Sequence, residues 1–453
     1  MISRKKNGEE NMKEKTYFLI IIILLAATLS GCTEEQHQPS VKTIEDTAVD
    51  IVTMIMVSNY TGVYSFFNSS VTSQITAVQF ADIWKQQVTS SHGTITKIVR
   101  TRVTNESGIS VVYVTCNFSK INVLDIKISF NSEKEVTSLL IVPIQEESQY
   151  TPPQYVNLSL FTEEEVNIGS GQWTLPATIT IPKGIGPFPA VVLVHGSGPN
   201  DRDETYGPNK PLKDIAWGLA SNGIVVLRYE KRTKQYPQES ASIQNFTVED
   251  ETIDDALAAV EVLNNSSIVN HSEIFVLGHS LGGMLAPRIA LNDSKIAGLI
   301  ILAGPTRHLE YLLLEQTRYL ANLSGTNQTE QIKAIESLVQ KVKNLDINES
   351  EVILGAPRSY WADLATYDPV ETAQSLEIPM LILQGERDYQ VTMKDFNRWN
   401  VTFSDDPNVI LYTYPFLNHY FIAGTGDPNN TEYLIEGHVS EEVISDIALW
   451  IKN

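Results

Sequence analysis

Residues 274–283 read IFVLGHSLGG, an apolar run followed by a glycine-rich turn and the start of a second apolar segment. This pattern predicts a strand, then a tight turn at Ser280, then a helix that begins at Leu281. Such a turn strains the backbone of its central residue, so the positions two residues away on either side must be small. Gly278 and Gly282 occupy those positions. The turn therefore lifts the Ser280 hydroxyl above the end of a sheet, where it is a candidate nucleophile.

Short apolar segments alternate with helical ones on both sides of this turn. The predicted strands are Ala190–Val194, Ile224–Leu227, Ile274–Leu277, Leu299–Leu302, Met380–Leu383 and Val409–Tyr412. The predicted helices are Leu212–Ser221, Thr252–Leu263, Leu281–Leu291 and Ser440–Ile451. Strands that are apolar throughout and separated by helices indicate a mainly parallel sheet covered on both faces. An antiparallel strand is predicted before them, at Thr174–Pro182. Between about 305 and 368 the spacing changes to a helical insertion, which we interpret as a lid.

The segment 41–147 has a different pattern. Two helices are predicted there, at Ile44–Phe67 and Ala77–Val88. Three strands are predicted after them, at Ile95–Val103, Ser110–Phe118 and Val123–Phe130. The strands alternate apolar and polar residues, as a half-buried antiparallel sheet requires. The sequence therefore predicts a small N-terminal α+β domain at 41–147, a proline-marked linker at 148–157 and an α/β domain at 158–453.

Residues 1–32 have the pattern of an export signal rather than of folded structure. A positively charged start precedes an apolar run at 17–29, which is short for a membrane span and ends at Gly31-Cys32. The small residues before the cysteine resemble a lipobox, which implies cleavage before Cys32 and lipid attachment to its sulfur. With 33–40 as a polar tether, we expect an exported chain anchored on the outer face of the cytoplasmic membrane. A retained single-span anchor is the alternative.

Composition excludes several classes of partner and site. The chain of 453 residues has 33 Lys and Arg against 54 Asp and Glu, a net charge of −21. That balance argues against a nucleic-acid partner, because no basic surface is expected that could neutralise phosphates. The two cysteines, Cys32 and Cys116, are too few for a disulfide framework or a thiolate zinc site. No cluster of His, Asp and Glu has the spacing of metal ligands, so neither a metal nor another cofactor is expected. The oligomeric state stays open.

A serine nucleophile needs a base to remove its proton, and the base needs a carboxylate to orient it. Of the eight histidines, His419 follows the strand Val409–Tyr412, at the end where sites of open α/β sheets form. Asp388 follows the strand Met380–Leu383 in the same way. The weaker carboxylate candidates are Glu386, Asp405 and Asp406. His279 adjoins Ser280, so its side chain is expected to point away.

Two backbone amides are expected to hold the negative charge that an attack by Ser280 would create. The amide of Leu281 lies at the N-terminus of the helix that follows the turn. The second amide is expected in the loop after Ala190–Val194, which reads HGSGP at 195–199. We assign it to Ser197, with Gly196 or Gly198 as alternatives.

These motifs resemble the α/β-hydrolase superfamily. The matching residues are His195-Gly196-Ser197-Gly198, Gly278-x-Ser280-x-Gly282, Gly385-x-x-Asp388 and Asn418-His419. Runs at 198–205 (GPNDRDET), 207–211 (GPNKP) and 228–232 (RYEKR) resemble, more narrowly, a group of bacterial and archaeal carboxylesterases. Members of that group add a small N-terminal domain of cystatin-like or nuclear-transport-factor-like shape. The resemblance implies a Ser-His-Asp esterase for short- to medium-chain esters, with Glu230 departing from an expected Asp.

Three other functions use or tolerate the same residues. A serine peptidase would need the same atoms, but 41–147 is too short for the propeller that often gates peptides in such enzymes. An acyl-thioester hydrolase fits less well, because coenzyme A is intracellular and anionic whereas this chain is acidic and carries an export pattern. A binding module built on a hydrolase scaffold would leave Ser280 unreactive toward a fluorophosphonate. Ester and peptide assays made side by side distinguish a serine peptidase from an esterase.

Overall fold

The computed structural model describes residues 42–73, 75–106, 109–120, 123–142, 150–324, 328–348 and 351–453. The predicted signal segment 1–32, with Cys32, and the tether 33–40 lie outside the described residues. The chain divides into two compact units, Met1–Glu146 and Glu147–Asn453. Within the described ranges, no helix combines the length and apolar character that crossing a bilayer requires.

The first unit consists of short helices and a four-stranded antiparallel sheet in the order β1-β2-β3-β4. The helices are α1 (Ile44–Met56), α2 (Tyr60–Tyr64), α3 (Ser69–Thr72), α4 (Ala77–Ile83) and α5 (Ser90–His92), with a π-helical turn at Trp84–Thr89 between the last two. The strands are β1 (Ile95–Glu106), β2 (Ile109–Phe118), β3 (Val123–Phe130) and β4 (Val136–Val142). A capping box fixes the start of α1, because the Asp46 N–H donates to the Thr43 hydroxyl and the Thr43 N–H to the Asp46 carboxylate. Its apolar face packs on the sheet through Ile51 and Val52.

Two features of the first unit differ from the sequence prediction. The helix predicted at Ile44–Phe67 is broken after α1, where Ser58 has a positive φ of 58° and Asn59 caps the next helix. The strand β4 was not predicted, and it pairs with β3 after a turn at 131–135.

The second unit is built on an eight-stranded sheet in the order β14-β13-β10-β9-β7-β8-β6-β5. Its strands are β5 (Phe161–Ile168), β6 (Leu175–Pro182), β7 (Phe188–Val194), β8 (Val225–Tyr229), β9 (Val269–His279), β10 (Ile296–Leu302), β13 (Met380–Gly385) and β14 (Val409–Tyr414), while β11 (Val352–Ile353) and β12 (Ala356–Pro357) form a separate pair. The pairings of β6 with β5 and with β8 are antiparallel, and the others in the sheet are parallel. Alternate residues of the central strands enter different cores, since Val192 packs on one face and Val191 on the other. The predicted mainly parallel sheet is confirmed.

Helices cover both faces of this sheet. They are α6 (Pro211–Ser221), α7 (Arg232–Gln235), α8 (Pro237–Ala241), α9 (Asp254–Asn264), α10 (Leu281–Asn292), α11 (Leu309–Ser324), α12 (Thr329–Lys343), α13 (Arg358–Ala365), α14 (Pro369–Gln374), α15 (Met393–Phe403) and α16 (Glu441–Lys452), with a π-helical turn at Glu249–Ile253 and 3₁₀ turns at Leu158–Leu160, Gly171–Trp173 and Glu432–Leu434. The segment predicted as an insertion holds α11 to α13. Its last part docks on α10, where the Tyr367 hydroxyl donates to the Met284 carbonyl at 2.7 Å and Arg288 pairs with Asp363.

Candidate active site

Ser280 occupies the turn between β9 and α10. Its backbone has φ 51° and ψ −116°, in the strained left-handed region, and its N–H donates to the Leu302 carbonyl at 2.9 Å. Close packing explains the neighbouring glycines. A Cβ at Gly278 would lie 2.2 Å from the Gly282 oxygen, and one at Gly282 would lie 2.5 Å from the Val194 oxygen. The sequence therefore fixes a turn that carries the hydroxyl at the N-terminus of α10.

His419 and Asp388 meet in a buried pair beyond the ends of β14 and β13. The His419 Nδ1–H donates to Asp388 Oδ2 at 2.6 Å, and both side chains are almost fully buried. The other carboxylate oxygen accepts the backbone N–H groups of Gln390 and Val391 at 2.7 and 3.0 Å. Because the carboxylate is held at both oxygens, it fixes the orientation and tautomer of the imidazole.

The structure does not bring the weaker carboxylate candidates to His419. Glu386 is exposed and accepts the Thr413 hydroxyl at 2.8 Å. Asp405 is exposed, and Asp406 accepts a backbone N–H in the turn before β14. Asp388 alone of these residues contacts the imidazole.

Ser280 is linked to His419 through its neighbour rather than by a direct bond. Within the described part of the chain, the Ser280 hydroxyl makes no hydrogen bond. The His279 Nε2–H donates to the His419 carbonyl at 2.9 Å, and the two rings lie 4.7 Å apart between centroids. The half-buried Ser280 and the buried His419–Asp388 pair thus occupy the same edge of the sheet, where the carboxyl ends of the parallel strands lie.

The loop after β7 lies against this turn. A Cβ at Gly196 would come 3.1 Å from the Ser280 Cβ and 2.9 Å from Glu204 Oε1, so the glycine allows an approach closer than most side chains make. The Gly196 N–H already donates to Glu204 Oε1 at 2.7 Å, which leaves the next amide to face a reacting group. Ser197 is exposed, and among the described residues its N–H has no hydrogen-bond partner. Leu281, as the first residue of α10, has an N–H with no partner inside the helix.

A buried pair of Glu204 and His279 was not foreseen from the sequence. The His279 Nδ1–H donates to Glu204 Oε2 at 2.9 Å while Nε2–H donates to the His419 carbonyl, and two donating nitrogens define an imidazolium. Burial alone lowers the pKa of His279, but the charge and hydrogen bond of Glu204 outweigh it and raise that pKa. Burial alone raises the pKa of Glu204, but the charge and hydrogen bond of His279 help to bring that pKa below its usual value. Glu204 has a positive φ of 52°, and the charged run at 201–204 was its one visible signal in the sequence.

Two clefts border the insertion. One, of about 490 Å³, lies between α11 and the loop that carries Asp388, with Tyr319 and Tyr389 among its lining residues. The other, of about 390 Å³, lies between Met284 of α10 and His308, just before α11. Clefts of this size accept small molecules. In the described ranges, no group of three or more His, Cys, Asp or Glu side chains is placed to hold a metal ion.

Comparisons with known proteins give consistent matches. A family model described as "Serine aminopeptidase, S33" matches residues 187–419, and one described as "Protein of unknown function (DUF3887)" matches residues 48–139. Esterase EstD of Thermotoga maritima is 46% identical over 304 residues, which are 67% of this chain and 71% of that protein. Two solved structures are similar at 17% identity and cover 64% of this chain. They are Est1E from Butyrivibrio proteoclasticus (98% of that chain, TM-score 0.44) and an esterase from Pyrobaculum calidifontis (85%, TM-score 0.42).

Proposed function

Because the chain belongs to the α/β-hydrolase family described as serine aminopeptidase, S33, we propose that it cleaves carboxylic esters through an acyl-enzyme on Ser280. The 46% identity to an esterase favours esters over the peptides that the family description names. The observation that carries the assignment of residues is the strained turn that presents Ser280 at the edge of the sheet where the buried His419–Asp388 pair lies.

The reaction follows from these positions. Asp388 holds His419 through Nδ1, so the other ring nitrogen takes the Ser280 proton as the oxygen attacks the ester carbonyl. The N–H groups of Ser197 and Leu281 stabilise the oxyanion, and the helix dipole of α10 adds to their effect. His419 returns the proton to the leaving alcohol, and then activates the water that releases the acid.

The missing hydrogen bond between Ser280 and His419 is compatible with this role. Catalytic hydrogen bonds are often long before substrate binds and shorten in the complex.

The preferred substrates are esters with short to medium acyl chains.

Replacement of the nucleophile tests the proposal. Ser280→Ala should lower kcat for p-nitrophenyl butyrate by roughly 10⁴-fold or more, because the proposed acyl-enzyme forms on the Ser280 oxygen. A fluorophosphonate should label the wild-type protein on the peptide that contains Ser280. Ser272→Ala, an exposed serine on β9, is the matched control and should behave like the wild type. Turnover retained in Ser280→Ala, or faster cleavage of an amino-acid p-nitroanilide than of the ester, would contradict the proposal.

The cellular location is a separate proposal, which rests on the sequence pattern at 17–32. We propose that the chain is exported, cleaved before Cys32 and held on the outer face of the cytoplasmic membrane by lipid on that cysteine. Intact mass of the protein from a bacterial membrane fraction should show a diacylglyceryl group on Cys32, and Cys32→Ser should move the activity away from the membrane. An unmodified mass with the signal segment retained would indicate the single-span anchor instead.

A further inference from the structure

The peptide group that joins Gly196 to Ser197 is held by hydrogen bonds on its carbonyl side. Its carbonyl oxygen, on Gly196, accepts the Lys231 ammonium at 2.8 Å and the Asn200 side-chain amide at 3.2 Å. A trans peptide is planar, so its N–H points opposite to its C=O. Whatever fixes the direction of the Gly196 carbonyl therefore fixes the direction of the Ser197 N–H.

Lys231 is an unusual group for this position. Its side chain is only 2% exposed, and lysine is rarely buried unless it is paired. The ammonium pairs with Glu251 Oε1 at 2.7 Å, and the Lys231 backbone N–H donates to the Asn200 carbonyl at 3.1 Å. The residue thus holds the loop after β7 through its side chain and its backbone.

We propose that Lys231 is a positioning residue of the oxyanion site, an inference that rests on the proposed esterase function. Its ammonium holds the Gly196 carbonyl so that the Ser197 N–H points at the oxygen of a bound ester. The same contact draws electron density from the peptide group, and hydrogen bonds in such chains strengthen one another. The Ser197 N–H is accordingly both aimed and made a stronger donor.

The contact continues into the insertion. The other carboxylate oxygen of Glu251 accepts the Tyr360 hydroxyl at 2.6 Å, and Tyr360 belongs to α13. The chain of contacts from Tyr360 through Glu251 and Lys231 ends at the oxyanion loop. Loss of the tyrosine hydroxyl should weaken the arrangement less than loss of the ammonium.

A neighbouring pair supplies the comparison that separates positioning from simple stability. Arg232 pairs with Asp255 at 2.6 and 3.1 Å, and both side chains are as buried as those of Lys231 and Glu251. Within the described residues, Arg232 makes no hydrogen bond to the loop after β7. The two pairs are therefore similar in burial and in charge but differ in their contact with Gly196.

The test uses the full chain and compares paired substitutions. Lys231→Met alone leaves the Glu251 carboxylate buried without its partner, so K231M/E251Q is made beside it. R232M/D255N is the matched control. For p-nitrophenyl butyrate we expect kcat of both Lys231 variants to fall roughly 10- to 100-fold with KM changed by less than about threefold, because a donor that acts in the transition state is misdirected. An alkyl trifluoromethyl ketone, which forms an oxyanion on Ser280, should lose affinity by a similar factor.

Each outcome decides the matter. The control pair should lower the Tm by a similar amount while leaving kcat and the ketone affinity within about twofold of the wild type. The inference is overturned if K231M/E251Q keeps the wild-type kcat, or if the control loses activity to the same extent. Loss of ester turnover in Ser280→Ala, measured in the same series, shows that the esterase function stands even if the Lys231 inference fails. Tyr360→Phe should lower kcat less than K231M does. A larger loss in Tyr360→Phe would contradict the inference that the tyrosine acts on the loop through Glu251 and Lys231.

Discussion

The core of the first unit buries mainly aliphatic and aromatic side chains, whereas the second unit buries many ionisable groups, several of them at one edge of its sheet. In the described part of the first unit, the buried polar side chains are Thr47, Thr115, Asp125 and Ser129. The buried ionisable groups near the carboxyl ends of the strands in the second unit include His195, Asp203, Glu204, Arg228, Lys231, Glu251, His279, Asp388 and His419.

The contrast separates what holds a fold together from what performs a reaction. A buried ion pair gains little over a well-packed apolar pair, because desolvation offsets most of the attraction. A core that has only to stabilise its unit is therefore expected to be mainly apolar, as the core of the first unit is. The second unit retains several costly charges where Ser280 and its partners lie, and for these we expect a role in orienting reacting groups.

After loss of the nucleophile itself, the largest expected effect comes from loss of the buried carboxylate of Asp388. Asp388→Asn should lower kcat for an ester by roughly 10³- to 10⁴-fold, because an amide does not hold His419 in the required tautomer and orientation. Steady-state kinetics measure it. Glu386→Gln, two residues away and exposed, is the control and should keep kcat within about threefold. Equal losses in both variants would show that the Asp388–His419 pair is not the one used.

A cavity created in the core of the first unit tests whether that core affects stability without affecting ester turnover. Ile126, on β3, is fully buried, and Ile126→Ala should lower the free energy of unfolding of that unit by about 2–5 kcal/mol. Hydrogen exchange of peptides from β2 and β3 measures the loss of protection. Ester turnover should stay unchanged, since every residue assigned to the reaction lies in the second unit. Val99→Ala, half-exposed on β1, is the control, and a fall in kcat of Ile126→Ala would break the separation of roles.

The Glu204–His279 pair should show an intermediate effect. Glu204→Ala leaves the Gly196 N–H and the His279 imidazolium without their acceptor, so kcat should fall by roughly 10- to 100-fold. Glu204→Gln keeps one acceptor oxygen for the Gly196 N–H and should recover part of that loss. Kinetics of the two variants at one pH measure the difference. Equal activity of Glu204→Ala and the wild type would leave the pair a purely structural role.

The smallest effect concerns a charge in the second unit that has no assigned role in the reaction. The Asp214 hydrogen bond raises the pKa of His438 above its usual value of 6.5, so protonation stabilises the fold. That contribution is complete below pH 6.5 and is lost as the pH rises through the raised value. His438→Gln should therefore cost about 1 kcal/mol or less at low pH and less still at higher pH. Denaturant unfolding at several pH values measures it, and in an Asp214→Asn background the trend should vanish.

The parts of the candidate site that could be predicted from the sequence are those that depend on strand ends. Ser280, Asp388 and His419 each follow an apolar strand, and parallel strands bring such positions to one edge. Glu204 and Lys231 lie in the runs 198–205 and 228–232, but their roles could not be predicted, because those runs do not show which residues of other elements the two side chains contact. The strand β5 was missed for a local reason, since three consecutive glutamates at 163–165 hide its alternation on an exposed edge of the sheet.

The contact of Tyr360 with Glu251 has a consequence for engineering. A designer who transplants the insertion from a relative, in order to change which esters enter, also replaces the hydroxyl that Glu251 accepts. A chimera without a donor at this position should turn over slowly even on small esters that never touch the grafted segment. Keeping the tyrosine is therefore the first condition of such a graft.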